Sequence, residues 1–290
     1  MGNRATRQQS FKAAVGWTAA CTALCVALAV PLSGVRAATA VSPESDAARR
    51  TINIMLANEQ AASQHKEHCA YMSLERSDRT GGHLWLEKVV ETNAGKVRML
   101  RAEDGQPLSP DRIAAERGRL AAILADPASF QKKSQTVKDD EAHARQLLAH
   151  LPDAFVFDGV RNEGGYEHID FKPNPDYSPS SMEERVIHNM TGSMVIDTRM
   201  MRLHQIEGRL PKDVSIGFGL LATIRAGSNF STTRDRFGEP DFKTTLLDTD
   251  INGKALFFKS IAKKEHAEHS DFVRVPDNLS LAQAVAIAEQ

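Results

Sequence analysis

The sequence predicts an α+β protein: a curved antiparallel sheet, left open as a half-barrel, with a helical lid and an inserted helical hairpin. Three observations lead there. Apolar residues alternate with period two through many short runs after residue 70, as half-buried strands require. Short turns such as Asn93-Ala94-Gly95 separate those runs, which favours a meander over parallel βαβ units. The period switches to helical at the start, in the middle and at the end of the chain.

In chain order, residues 13–35 carry no charge and follow Arg4, Arg7 and Lys12. Small residues come next, ending Ala38-Thr39-Ala40. A basic start, an apolar middle and an A-x-A site describe a secretory signal peptide, cut after Ala40. The rival reading is a retained anchor, but the dense apolar part at 19–32 is shorter than the ~20 residues of a span. Cys21 and Cys25 lack lipoprotein-signal surroundings, and Arg4 and Arg7 are not adjacent as a twin-arginine signal needs. The expected layout is therefore a signal peptide at 1–40 and one domain at 41–290. The protein is expected to be periplasmic or secreted, with no stable membrane span after cleavage.

Removing residues 1–40 takes four basic residues (Arg4, Arg7, Lys12, Arg36) and no acid, so the formal charge falls from −1 to −5. An acidic chain lacks the clustered basic surface of a nucleic-acid binder. Two of the three cysteines leave as well, and Cys69 alone cannot form an intramolecular disulfide. Stability must come from an ordinary core, which a chain of this length can supply in a single domain.

Residues 41–64 begin Ser42-Pro43-Glu44-Ser45-Asp46 and place Ile52, Met55, Leu56 and Ala61 near helical spacing, a capped amphipathic helix. Strands follow at 70–76, 84–92 and 96–102. Ser109-Pro110-Asp111 then starts a helix, with Ile113, Leu120 and Leu124 on one face. A second helix starts near Asp126-Pro127, with Phe130, Val137, Ala144 and Leu151 at steps of seven. Together they read as a hairpin over 109–150, packed on itself or on the sheet. Beyond Leu151 the alternation returns, with Phe155 and Phe157 in one strand and Ile169 and Phe171 in the next. A proline-rich loop at 173–181 and a short helix at 182–189 precede strands at 193–197, 202–210, 213–218, 230–237, 242–251 and 254–261. Asn252-Gly253 is the strongest hairpin signal, and a helix over 280–289 closes the chain.

Ser193-Met194-Val195-Ile196-Asp197 and Leu203-His204-Gln205-Ile206-Glu207-Gly208 make a strand ending in Asp, a short turn, and a strand ending in Glu-Gly. With the N-terminal helix leading into strands, this resembles the periplasmic lipoprotein carrier and receptor proteins of Gram-negative bacteria and the related sigma-factor regulators. The resemblance implies an unclosed half-barrel whose mouth is covered by helices. The hairpin at 109–150 departs from the carriers' pattern, and no functional residue carries over. The chain also resembles uncharacterised secreted proteins of soil bacteria through Leu151-Pro152-Asp153-Ala154-Phe155, Phe171-Lys172-Pro173-Asn174-Pro175 and Val275-Pro276-Asp277-Asn278-Leu279.

Few constellations carry chemistry. His65-x-x-His68-Cys69 has metal-like spacing, but a zinc site needs a third ligand in fixed geometry, so a helix-to-strand junction is the expected reading. Glu265-His266-Ala267-Glu268-His269-Ser270-Asp271 is expected as a solvated loop, and Gly217-Phe218-Gly219 as a bend in the sheet. Nucleophile elbows, phosphate-cradling loops and H-E-x-x-H helices are missing from the sequence. Strands apolar on both faces, at Leu246-Leu247 and Leu256-Phe257-Phe258, predict helices over the sheet and an apolar ligand between the two layers. The expected function is non-enzymatic: binding a lipid or a lipoprotein acyl chain, without metal or cofactor. The alternatives are an envelope interaction or sensing module, with a protein partner on the 109–150 hairpin, and a metal-dependent hydrolase.

Overall fold

Ser42 caps the first helix, α1 (Pro43–Ser63), its hydroxyl accepting the Ser45 N–H at 3.1 Å, with proline and two acids in the first turn. These features satisfy open amides and suit the positive helix end. A computed structural model of the chain describes residues 42–64, 67–216, 222–238, 241–255 and 259–290; Ala40 and the rest of the predicted leader lie outside the described residues. Three strands follow α1: β1 (Cys69–Arg76), β2 (Trp85–Thr92) and β3 (Gly95–Glu103), with a two-residue strand β4 (Gln106–Pro107) after them. Then come α2 (Pro110–Ala125), α3 (Pro127–Ala149) and the single turn α4 (Leu151–Ala154). The second half runs β5 (Phe155–Glu163), β6 (Tyr166–Pro173), α5 (Met182–His188), β7 (Thr191–Asp197) and β8 (Arg202–Arg209). It ends with β9 (Val214–Ile216), β10 (Ala222–Ile224), β11 (Asn229–Arg236), β12 (Phe242–Ala255), β13 (Lys259–Arg274) and α6 (Leu281–Glu289).

All strands join one antiparallel sheet in the order β4-β3-β2-β1-β13-β12-β11-β8-β7-β6-β5, with β10 and β9 branching from β12. The sheet is not closed, since β4 and β5 end the path. The class is α+β, and residues 41–290 form one compact unit. No helix among the described residues is long and apolar enough to cross a membrane.

The register assigns each helix a face. Glu75, Ala267, Leu247, Thr232, Ile206, Met194 and Ile169 are successive cross-strand partners, so they share one face. That face carries α1: Ala48, Ile52 and Met55 pack on Phe157, Ile169, Met194 and Ile206. Burying each large side chain contributes about 1.5–3 kcal/mol, and Phe155 meets Phe171 edge-on at 4.9 Å. Ala70, Val90 and Val97 point to the opposite face, where Ala284, Val285 and Ala288 of α6 and Leu120 of α2 cover them. The α1 N-terminus also blunts the free edge of β5. Ser45 Oγ accepts the Phe157 N–H at 3.2 Å and Glu44 Oε1 the Val160 N–H at 3.0 Å, so these edge amides are not left open to another chain.

Several sequence expectations change. Leu151–Ala154 is a helical turn rather than the start of a strand; Pro152 fits a first helical turn, where its missing N–H costs nothing. Asn252-Gly253 lies inside β12, paired with Ala262 and Ile261, so the connection falls beyond it and 254–261 is not one strand. Gly253 serves close approach instead: a Cβ there would lie 2.7 Å from the Thr223 carbonyl oxygen of β10. Residues 265–271 are not a solvated loop but part of β13, paired with both β1 and β12. Nor do the heptad stripes form a continuous seam: Leu120 is buried, whereas Leu124 is 40 % and Val137 54 % exposed. Strand β10 is an addition to the expected elements. Gly217-Phe218-Gly219 and Leu256-Phe257-Phe258 lie outside the described residues.

Candidate functional site

Helix α3 has 23 residues, a rod about 35 Å long at ~1.5 Å per residue. Asp126 caps it by accepting the Ser129 N–H at 3.0 Å. Phe130, near its start, joins the core beneath α6, while Leu148, near its end, packs on the core beneath α1. These cores lie on opposite faces of the sheet, so α3 passes around the β2–β3 turn from one face to the other. Gly95 makes the crossing possible: at φ +147° a Cβ would lie 2.0 Å from Ser134 Oγ. Lys138 Nζ donates to the Asn93 carbonyl at 2.8 Å and pins the helix at the same turn.

Beyond this crossing, α3 overlooks a cleft of about 630 Å³ on the α1 side of the sheet. Ser134, Val137, Lys138, Glu141 and Arg145 form its roof, at the spacing of one helical face. Lys96 and Arg98 of β3 and Glu91 of β2 stand on the opposite wall, with Lys263, Lys264 and Glu265 of β13 at one end. Ser63, at the end of α1, and His68 close another side.

The floor is an ion ladder. Glu75 and Glu87 are almost fully buried, and Arg79 binds both carboxylates, reaching Glu75 Oε2 at 2.6 Å and Glu87 Oε2 at 2.5 Å. Arg98 adds a second contact to Glu87 at 2.9 Å. Burial works against the Glu75 carboxylate, but hydrogen bonds from Arg79 and Ser77 outweigh it and hold its pKa below the ordinary value. The guanidinium carbons of Arg79 and Arg112 lie 5.5 and 5.6 Å from the ring centre of Trp85, two cation–π contacts. Two acids and two arginines therefore neutralise one another at the base of the cleft.

His68 and Cys69 do not come together as ligands. The Cys69 amide donates to Glu91 Oε2 at 3.1 Å, while His68 Nδ1 lies 3.7 Å from Asp277. Burial pushes the Cys69 thiol up, against the pull of the neighbouring Lys243 ammonium. His65 is outside the described residues. In β13, Glu265 faces the cleft, but His266 is held on the other face by Asp248 at 2.6 Å and Glu268 at 3.1 Å. His269 bonds the Thr244 carbonyl at 3.0 Å, and burial lowers its pKa. No group of three or more metal-ligating side chains converges among the described residues.

No protein-family model matches the chain, and no curated protein matches it. The cleft has to be read from its own chemistry.

Of the residues that line it, the sequence reading singled out His68, Val137 and Glu265, each for another role, and missed most of the others. Two signals were present: the inward positions of β1–β3 carry Glu75, Glu87, Lys96 and Arg98 where a core strand would be apolar, and α3 carries the polar stripe from Ser134 to Arg145. Neither signal is an apolar periodicity.

Proposed function

We propose that the protein is a non-enzymatic envelope protein that holds an elongated ligand in a half-barrel, with α3 as the lid across its mouth. The observation that carries this reading is the cleft of about 630 Å³ beneath a helix anchored at both ends by separate cores. That volume falls within the ~300–1,000 Å³ of small-molecule sites. The middle of α3 meets the sheet through polar tethers such as Lys138 to Asn93 and Lys96 to Glu141, which part at little cost in water. A lid needs firm ends and a weakly held centre, and α3 combines the two.

The uncharged stretch at 13–35 supports export to the envelope. The order of helices and strands, with the motifs ending at Asp197 and Gly208, supports kinship with the lipoprotein carriers and receptors. The ligand class follows from both: a lipid or the acylated segment of a lipoprotein. The walls refine it. Val137 is the aliphatic side chain of the roof, and the floor is ionic, so the part of the ligand seated beneath α3 is polar and its chain runs along the opening.

Native mass spectrometry of protein purified from a periplasmic extract, followed by organic extraction, tests the reading. A defined amphiphile released on denaturation is expected. A bare polypeptide mass that no added amphiphile changes would overturn it.

A further inference from the structure

Cationic side chains enter the cleft from both sides, and the ion ladder does not consume them. Lys138 and Arg145 project from the roof and Lys96 rises from β3 beneath them. Lys96 stands 3.7 Å from Glu141, a loose pair. Lys138 uses one of its three donors on the Asn93 carbonyl, and Arg145 has no ion-pair partner among the described residues. At the far end, Lys264 is 3.7 Å from Asp250 with its side chain 83 % exposed. Of the carboxylates near the cleft, Glu75 and Glu87 are matched by Arg79 and Arg98, and Glu141, on the roof between Lys138 and Arg145, is offset by Lys96.

We propose that the cleft recognises the phosphate group of an anionic amphiphile, gripped between Lys138 and Arg145 above and Lys96 below. The inference rests on the ligand-cleft reading and narrows its ligand class. Phosphate suits the geometry better than carboxylate because the donors arrive from roof and wall together. A tetrahedral group offers oxygens in both directions, whereas a planar carboxylate fills one fork. The guanidinium of Arg145 supplies paired donors and the two lysines supply point charges.

The test compares three probes by calorimetry: lysophosphatidylglycerol, a monoacylglycerol with the same chain but no phosphate, and glycerol 3-phosphate without a chain. Lysophosphatidylglycerol is expected to bind at least about tenfold more tightly than the monoacylglycerol, with an affinity that falls as salt rises. Lys138→Glu/Arg145→Glu should erase that difference while melting like the parent, since both side chains are exposed; Lys138→Gln/Arg145→Gln is the milder variant if the first does not fold. Glycerol 3-phosphate binding as tightly as the amphiphile would support phosphate recognition and identify a soluble source. Equal affinity for the phosphate-bearing and phosphate-free amphiphiles would overturn the phosphate inference and leave the cleft reading intact. Binding of none of the three would overturn both.

Discussion

Gly95 and Ser134 touch where α3 crosses the end of the sheet, so closely that a Cβ on Gly95 would sit 2.0 Å from the serine hydroxyl oxygen and 2.6 Å from its Cβ. The backbone there has φ +147°, a conformation that L side chains rarely adopt. Gly95→Ala should therefore destabilise the protein by about 1–3 kcal/mol through strain and displacement of α3. Adding Ser134→Gly should recover part of that loss, because the steric half of the conflict is removed. Urea unfolding of the four proteins in the cycle checks this; additive effects would show that the two residues do not oppose each other.

Arg79 holds two carboxylates that are nearly excluded from water. Arg79→Ala leaves Arg98 as the one cation paired with both carboxylates among the described residues. A fully buried partner loss costs about 3–5 kcal/mol, but Arg79 is 40 % exposed and screened, so about 2 kcal/mol is expected at neutral pH. The sign with pH follows from Glu75, whose folded pKa lies below its unfolded value of about 4.3. Its stabilising contribution is present above the unfolded value and disappears as pH falls through the folded one. The penalty of Arg79→Ala should thus shrink as pH falls below about 4.3, where a protonated Glu75 needs no partner. A penalty that grows on acidification would contradict the ladder.

His266 behaves in the opposite sense. The hydrogen bond that His266 donates to Asp248 raises its pKa above the ordinary value, with Glu268 adding to the effect against burial. A raised histidine contributes stability below its unfolded pKa of about 6.5 and loses it as pH rises through the folded value. Both His266 and Asp248 are 42 % exposed, so the contribution is a few tenths of a kcal/mol. Asp248→Asn should move the His266 titration, followed by NMR, down towards 6.5. An unshifted titration would show that the pair does not form in solution.

Gly253→Ala should cost about 1–3 kcal/mol by forcing β10 away from β12, since the new methyl would lie 2.7 Å from the Thr223 carbonyl oxygen. A loss below about 0.5 kcal/mol in equilibrium unfolding would contradict this close approach of β10 to β12.

What could be read in advance depended on how local the cause was. Caps announce helices through nearby chemistry, so Ser109-Pro110 and Asp126-Pro127 start α2 and α3 where the residues suggest. Period two identifies β5 and β6 through Phe155, Phe157, Ile169 and Phe171. Asn252-Gly253 misled because a glycine needed for a neighbouring strand looks the same in sequence as one needed for a turn. The stretch from Glu265 to Asp271 looked like a loop because the pairing that makes it a strand is distant in sequence, Glu268 lying opposite Leu74 on one side and Leu246 on the other. The cleft was hidden for a related reason. Its floor joins Glu75, Arg79, Glu87 and Arg98 from three strands and the connection between the first two, and its roof comes from α3, later in the chain.

The proposed ligand enters between α3 and the sheet. Val137 is 54 % exposed and belongs to the roof of the cleft, while Cys69 is buried, so Val137→Cys accepts an environment-sensitive fluorophore at the site itself. Titration with lysophosphatidylglycerol and with the matched monoacylglycerol should give a saturable blue shift for at least one of them. A spectrum that neither amphiphile changes would contradict a ligand site beneath α3.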